Sequence, residues 1–265
     1  MTLPIFDRFI EGAVSTLKED ERFIALLAGG SLVAGTMDEF SDLDLIVVYD
    51  SRFRENVMAE RLVLAGMLGP LLSGFTGEHV GEPRVVICLY GPPALHVDLK
   101  FVTLPELADR IENPLVLWER DEAASQALRL TEPSPPQLDP QWIEDRFWVW
   151  VHYGAAKLGR GELYELIDHL AYMRGAVLGP LMARAAGQMP RGVRKLETLA
   201  AAYARELVET VPRHHTASCY KALQATIGLY RTLRSQIQGL ELRTEAEEVS
   251  VRYLDEVFAE VSERT

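Results

Sequence analysis

Residues 131–140 read TEPSPPQLDP, and four prolines in ten residues exclude both a helix and a paired strand there. The chain on either side has a different character. Before this segment, apolar runs alternate with glycine-bearing turns, the pattern of strands linked by short connections. After it, Ala, Leu, Glu and Arg dominate at helical spacing. The simplest organisation is an α/β domain over 1–130, a proline-rich linker over 131–140, and a helical bundle over 141–265.

Within the first part, Ile5, Phe9, Ile10, Ala13, Val14 and Leu17 repeat at helical spacing and predict an amphipathic helix over 4–18. Arg22 to Ala28 and Leu43 to Val48 read as buried strands, with a tight turn and one turn of helix between them. Arg54 to Leu72 is helical in composition, interrupted near Gly69-Pro70. Val85 to Tyr90 and Leu95 to Val102 predict two strands joined through Gly91-Pro92-Pro93. Thr103 with Glu106 three residues on has the form of a capping box, and Leu115 to Asp121 reads as a further strand. In the second part, helices are expected near 141–159, 161–186, 192–210, 215–238 and 243–262. No internal repeat is present.

Charge and cysteine content narrow the function classes. A formal net charge of −12 argues against non-specific nucleic-acid binding, which needs a basic footprint. It is compatible with a cationic small-molecule partner, although acidic surfaces commonly serve only solubility. Cys88 and Cys219 lie far apart without metal-ligand spacing and read as buried thiols of a reducing compartment. The N-terminal MTLPIFDRFIEG turns acidic too early for a signal peptide. The longest uncharged stretch, Phe23 to Met37, is too short and too glycine-rich to span a bilayer. The expectation is a cytoplasmic protein, with no membrane and no nucleic acid as partner.

The stretch ALLAGGSLVAGTMDEFSDLDLIVVYD, residues 25–50, carries the chemistry. Residues two apart on a strand point to one face, so Asp42 and Asp44 project together while Leu43 and Leu45 face the other way. Paired carboxylates repel unless a cation sits between them, and a hard divalent ion such as Mg²⁺ prefers carboxylate oxygens. In LHVDLKF, residues 95–101, alternation sends Leu95, Val97, Leu99 and Phe101 to the core and His96, Asp98 and Lys100 to the opposite face. If that strand lies beside the Asp42/Asp44 strand, three aspartates converge. Such a site suits two metal ions about 3.5–4 Å apart that align a nucleophilic hydroxyl with a leaving pyrophosphate. Asp-x-Asp alone also occurs at ordinary turns. The preceding Gly30 and Ser31 distinguish this one, since glycine lets the backbone approach a phosphate and the hydroxyl can bond its oxygens.

This pattern resembles the nucleotidyltransferase superfamily, the polymerase-β-like fold, and within it the lincosamide and aminoglycoside nucleotidyltransferases. The resemblance is specific over 23–50, moderate over 85–102 and diffuse beyond 140. It implies an α/β nucleotidyltransferase domain, a mixed sheet with flanking helices, ahead of an all-α helical bundle. It further implies Gly30 and Ser31 as triphosphate contacts, with Asp42, Asp44 and Asp98 as catalytic carboxylates and Mg²⁺ ligands. The implied reaction is transfer of a nucleoside monophosphate, usually AMP from ATP, to a hydroxyl of a small molecule. The antibiotic members make a lincosamide or aminoglycoside acceptor one expectation. Two other readings stand beside it, AMP transfer onto a partner protein and a catalytically silent nucleotide-binding protein. Many relatives dimerise, and monomer and homodimer both stay open.

Weaker signals lie at residues 150–177. Lys157 is a candidate phosphate contact. Glu162 and Glu165 rival Asp98 as the general base, while the bland reading of this stretch is a solvated helical face. The aromatics Trp142, Phe147, Trp148, Trp150, Tyr153, Tyr164 and Tyr172 read mainly as bundle core, with one or two available to line an acceptor pocket.

Overall fold

A computed structural model describes residues 4–264. The chain divides into two compact units, Met1–Pro135 and Pro136–Thr265, and residues 132–139 have no regular secondary structure.

The first unit is built on a six-stranded mixed sheet of order β3-β4-β5-β2-β1-β6. The strands are β1 (Phe23–Ala28), β2 (Leu43–Tyr49), β3 (Leu71–Gly77), β4 (Glu82–Tyr90), β5 (Leu95–Thr103) and β6 (Leu115–Glu119). Helix α1 (Pro4–Lys18) precedes the sheet, α2 (Gly30–Val33) follows β1, α3 (Arg54–Met67) follows β2 and α4 (Ala123–Arg129) follows β6. Strand alternation sorts the side chains between two faces. Leu43, Leu45, Val47 and Tyr49 of β2 and Val97, Leu99 and Phe101 of β5 pack with Phe6, Ala13 and Leu17 of α1 and Val57, Leu64 and Ala65 of α3. On the opposite face, Ala25, Leu27, Val48 and Val102 meet Ala124 of α4 and Leu107 of the turn after β5. β2 is therefore central, antiparallel to β1 and parallel to β5.

Three local expectations change. The helical stretch expected to reach Leu72 ends at Met67, and residues 71–77 instead form β3 along the edge of β4. Its sequence, LLSGFTG, carries two glycines, and Leu72 and Phe75 are exposed, so no buried alternation announces it. Pairing with β4, rather than propensity, makes it a strand. After β5, the capping box is half made. Glu106 Oε2 accepts from Thr103 N–H and from its hydroxyl, each at 2.8 Å, but only a 3₁₀ turn, Pro105–Ala108, follows. Helix α4 was not expected. It starts behind Asp121 and Glu122, both with positive φ, which give the chain a sharp entry.

The second unit is helical: α5 (Pro140–Arg160), α6 (Leu163–Met173), α7 (Gly179–Ala185), α8 (Leu196–Leu199), α9 (Ala204–Glu209), α10 (Thr216–Arg234) and α11 (Thr244–Glu263). Gly161, at φ +70°, ends α5 by donating to Leu158 C=O, while Glu162 N–H donates to Lys157 C=O. A π-helical segment, Arg174–Leu178, joins α6 to α7. The single helix expected over 192–210 is split into α8, a 3₁₀ turn and α9. Lys195 takes φ +57° and Ala200 leaves helical dihedrals, and of this stretch Leu196 and Ala200 reach the core. The core gathers Phe147, Trp148 and Val151 of α5, Leu166 and Leu170 of α6, Leu223 and Tyr230 of α10 and Leu254 of α11. Phe147 and Tyr230 stack with centroids 3.7 Å apart. Trp148 is thus core, as expected, whereas Trp142, Tyr153, Tyr164 and Tyr172 are exposed. No helix among the described residues is long and apolar enough to cross a membrane.

Candidate active site

The sheet brings two of the three aspartates into direct opposition. β2 and β5 run parallel with Asp44 paired to Asp98, about 4.8 Å apart by strand spacing. Their neighbours Leu43, Leu45, Val97 and Leu99 are buried on the other face, so both carboxylates project from the same one. Asp42 lies one residue before β2, and its charge raises the pKa of Asp98. The main cause of that rise is burial, and His96 opposes it. His96 Nε2 stands 3.0 Å from Asp98 Oδ1. Sequence reasoning placed His96 on the same face without giving it a role, and the i, i+2 spacing on β5 was the available signal.

The turn after β1 is tied to the same frame. Gly29 N–H donates to the Asp44 carbonyl at 2.8 Å. Gly30 takes φ +59°, and a Cβ built on it would run into the Asp44 carboxylate, with Asp44 Cγ only 2.9 Å away. Position 30 is therefore closed to any side chain for two independent reasons. Ser31 Oγ is shielded from solvent and has no hydrogen-bond partner. A buried hydroxyl left so costs about 1–3 kcal/mol and implies a missing partner. Gly30 N–H, meanwhile, donates to Glu112 Oε1 at 3.1 Å. Glu112, in the loop before β6, is a site residue that sequence reading missed. Nothing in its local sequence points to a partner 82 positions away.

Among the described residues, no group of three or more His, Cys, Asp and Glu side chains stands ready-made around a metal position. Asp98 is turned to His96. The donor set nevertheless suits a hard cation with a phosphate beside it: all-oxygen ligands, a glycine cradle that a Cβ would fill, and an orphaned hydroxyl.

The candidates of the second unit are committed within that unit. Lys157 Nζ bonds Glu162 at 2.7 Å and Glu165 at 2.9 Å, and both carboxylates hold its pKa up. Glu165 also accepts from the Tyr153 hydroxyl. Bonds from Tyr153 and Lys157 keep the Glu165 carboxyl below its ordinary range. His169 is bonded to the Trp150 carbonyl at 2.9 Å, and burial lowers its pKa.

Because Asp98 has a raised pKa in the fold, the folded protein holds its proton to higher pH than the unfolded chain. Stability from this group is full in acid and is lost as pH rises through the folded-state pKa. Asp98→Asn is therefore expected to melt about 1–2 °C higher than the parent at pH 7. The advantage should vanish below about pH 4, near the unfolded pKa. Melting curves across pH would check both ends.

Residues 10–81 match the family model of the nucleotidyltransferase domain. That stretch contains Gly30, Ser31, Asp42 and Asp44 and stops short of Asp98. The chain thus carries a nucleotidyltransferase domain, with the mixed sheet and flanking helices of that fold, and is an enzyme of the nucleotidyltransferase class. No curated protein matches the sequence. Among solved structures it is similar to an aminoglycoside 6-adenyltransferase from Bacillus subtilis, at 18% identity and TM-score 0.43, over 95% of this chain and 97% of that one. It is also similar to a nucleotidyltransferase-like protein from Exiguobacterium sibiricum 255-15, at 14% identity and TM-score 0.40, over 95% of this chain and 80% of that one.

Proposed function

We propose that the enzyme transfers AMP from ATP to a hydroxyl of a cationic small molecule, an aminoglycoside or lincosamide antibiotic being the first acceptor class to try. One observation carries this reading: Asp44 sits opposite Asp98 on parallel strands, against a glycine that tolerates no Cβ and a serine hydroxyl without a partner. Gly30 N–H and Ser31 Oγ bind phosphate oxygens and orient the triphosphate. Asp42, Asp44 and Asp98 would hold Mg²⁺, which when bound supplies positive charge against the phosphates. Asp98, opposite Asp44 on the shared face, accepts the acceptor's hydroxyl proton. The acceptor oxygen bonds to the α-phosphorus, the bond to the β-phosphate's bridging oxygen breaks, and pyrophosphate leaves. Glu165 is a weaker base because Tyr153 and Lys157 hold it ionised. The net charge of −12 supports a cationic acceptor.

The test is a pyrophosphate-release screen of aminoglycosides, lincosamides and other hydroxylated compounds against each nucleoside triphosphate, with Mg²⁺ and with chelator. Metal-dependent release with one acceptor is expected. Silence across the whole panel would overturn the small-molecule reading, and a mass gain on a co-expressed protein would redirect it to protein AMP transfer.

Gly30→Ala tests the cradle itself. The left-handed backbone costs an L-residue about 1–2 kcal/mol, and the new methyl displaces the Asp44 carboxylate. Turnover is expected to fall about 100-fold, the scale of an ångström-sized misplacement of a reacting group. Steady-state kinetics on the folded variant would measure it.

A further inference from the structure

The Gly30 amide already holds an anion of the protein's own. Glu112 Oε1 accepts from it at 3.1 Å, and the same oxygen lies 3.9 Å from where a Cβ on Gly29 would be. A carboxylate oxygen on a backbone N–H has the charge and geometry of a phosphate oxygen on that N–H. Ser31 Oγ, one residue on, stays without a partner, so Glu112 covers only part of the cradle.

The approach of Glu112 is held in place by its neighbours. Arg110 is buried and donates to Asn113 Oδ1 at 2.9 Å, Thr131 Oγ1 at 2.6 Å and the Leu128 carbonyl at 3.0 Å, as well as to the Thr131 carbonyl. Ser134 N–H bonds the Arg110 carbonyl at 2.8 Å. Arg110, two residues before Glu112, is thus held through its guanidinium and its carbonyl, and Asn113, one residue after, through its side chain, so exchange at the cradle is a movement of the Glu112 side chain.

We propose that Glu112 sets the nucleotide affinity of this enzyme: its carboxylate occupies the Gly30 N–H when no nucleotide is bound and is exchanged for a phosphate oxygen when one arrives. The inference rests on the reading of Gly30 and Ser31 as a phosphate cradle. Two anions cannot share one N–H, so every binding event includes displacement of Glu112. The observed dissociation constant is then the intrinsic one divided by the fraction of molecules whose cradle is open. A cradle open about one fifth of the time weakens binding about fivefold.

Isothermal titration of the full chain with ATP, tripolyphosphate and adenosine, in Mg²⁺ and without acceptor, reads this directly. Glu112→Ala is expected to bind ATP and tripolyphosphate about fivefold more tightly than the parent, with adenosine unchanged. Glu112→Gln, uncharged but equal in size, should fall between the two, and it decides the matter if the alanine variant melts early. Unchanged or weaker binding of ATP by the folded variants would overturn the role of Glu112 while leaving the cradle standing. Equal tightening for adenosine would overturn it too. If parent and variants, all folded, bound neither ATP nor tripolyphosphate, the cradle reading and this proposal would fall together.

Discussion

Asp44→Asn is expected to lower nucleotidyl transfer by about 1,000-fold or more while leaving the fold intact. Asparagine keeps the size of the side chain and its place opposite Asp98, so neither the β2–β5 ladder nor the Gly29 bond to the Asp44 carbonyl is disturbed. What goes is one of the two negative charges that share this sheet face, with the charge of Asp42 acting on Asp98 beside them. If that charge holds a divalent cation against the triphosphate, its loss removes several kcal/mol of stabilisation, and about 4 kcal/mol corresponds to that factor. Mg²⁺ with ATP should raise the melting temperature of the parent and not of the variant. Near-normal turnover in Asp44→Asn, with a defined acceptor, would remove this residue from the site.

The second large effect concerns stability. Glu144 is fully buried on α5 and accepts from Trp148 Nε1 at 3.0 Å, Arg243 N–H at 2.9 Å, Arg234 Nη1 at 3.1 Å and the Tyr230 hydroxyl. Burial alone would raise its pKa. The hydrogen bonds from Tyr230, the Arg243 amide and Trp148 outweigh it and hold the carboxyl below its ordinary value. Glu144→Ala strands these donors, including part of the Arg234 guanidinium, in the interior of the helical unit. Removing one partner of a buried ion pair costs about 3–5 kcal/mol, so a melting temperature lower by about 10 °C is expected at pH 7. The sign with pH follows from the lowered pKa. The carboxylate's contribution is present above the unfolded value, near pH 4.3, and is lost as pH falls through the folded one. The gap between parent and variant should therefore narrow in acid. A gap that held constant from pH 7 into acid would show that Glu144 contributes through packing rather than charge.

The residues differ in how far sequence alone could place them. That Asp44 and Asp98 face the same way was legible because alternation on two apolar strands fixes which face each residue takes, whereas Asp42 precedes β2 and alternation does not reach it. That β2 and β5 would be neighbours, and in register, was an assumption the sequence could not supply, since it depends on how the chain crosses between them. Gly30 was legible as a glycine, but its reason, the Asp44 carboxylate standing where a Cβ would go, belongs to the tertiary structure. Glu112 was illegible, because a loop carboxylate bonded to a backbone amide leaves no periodicity and no motif. Edge strand β3 escaped for a related reason: its hydrogen bonds to β4 define it, and two glycines with exposed Leu72 and Phe75 mask it. The helices at 141–159 and 215–238 were plain because burial and spacing agree over several turns.

The tie between Gly29 and Asp44 has a consequence for the chain between them. Because the sheet pins both ends of the excursion, the exposed stretch around Gly35 to Phe40 is not what sets the spacing of cradle and carboxylate. That stretch can be lengthened, trimmed or even opened as the point where a circularly permuted chain begins and ends, with the chemistry staying where the ladder holds it. By contrast, one residue added inside β2 would turn its carboxylate inward and a leucine outward, and would erase the site in a single step.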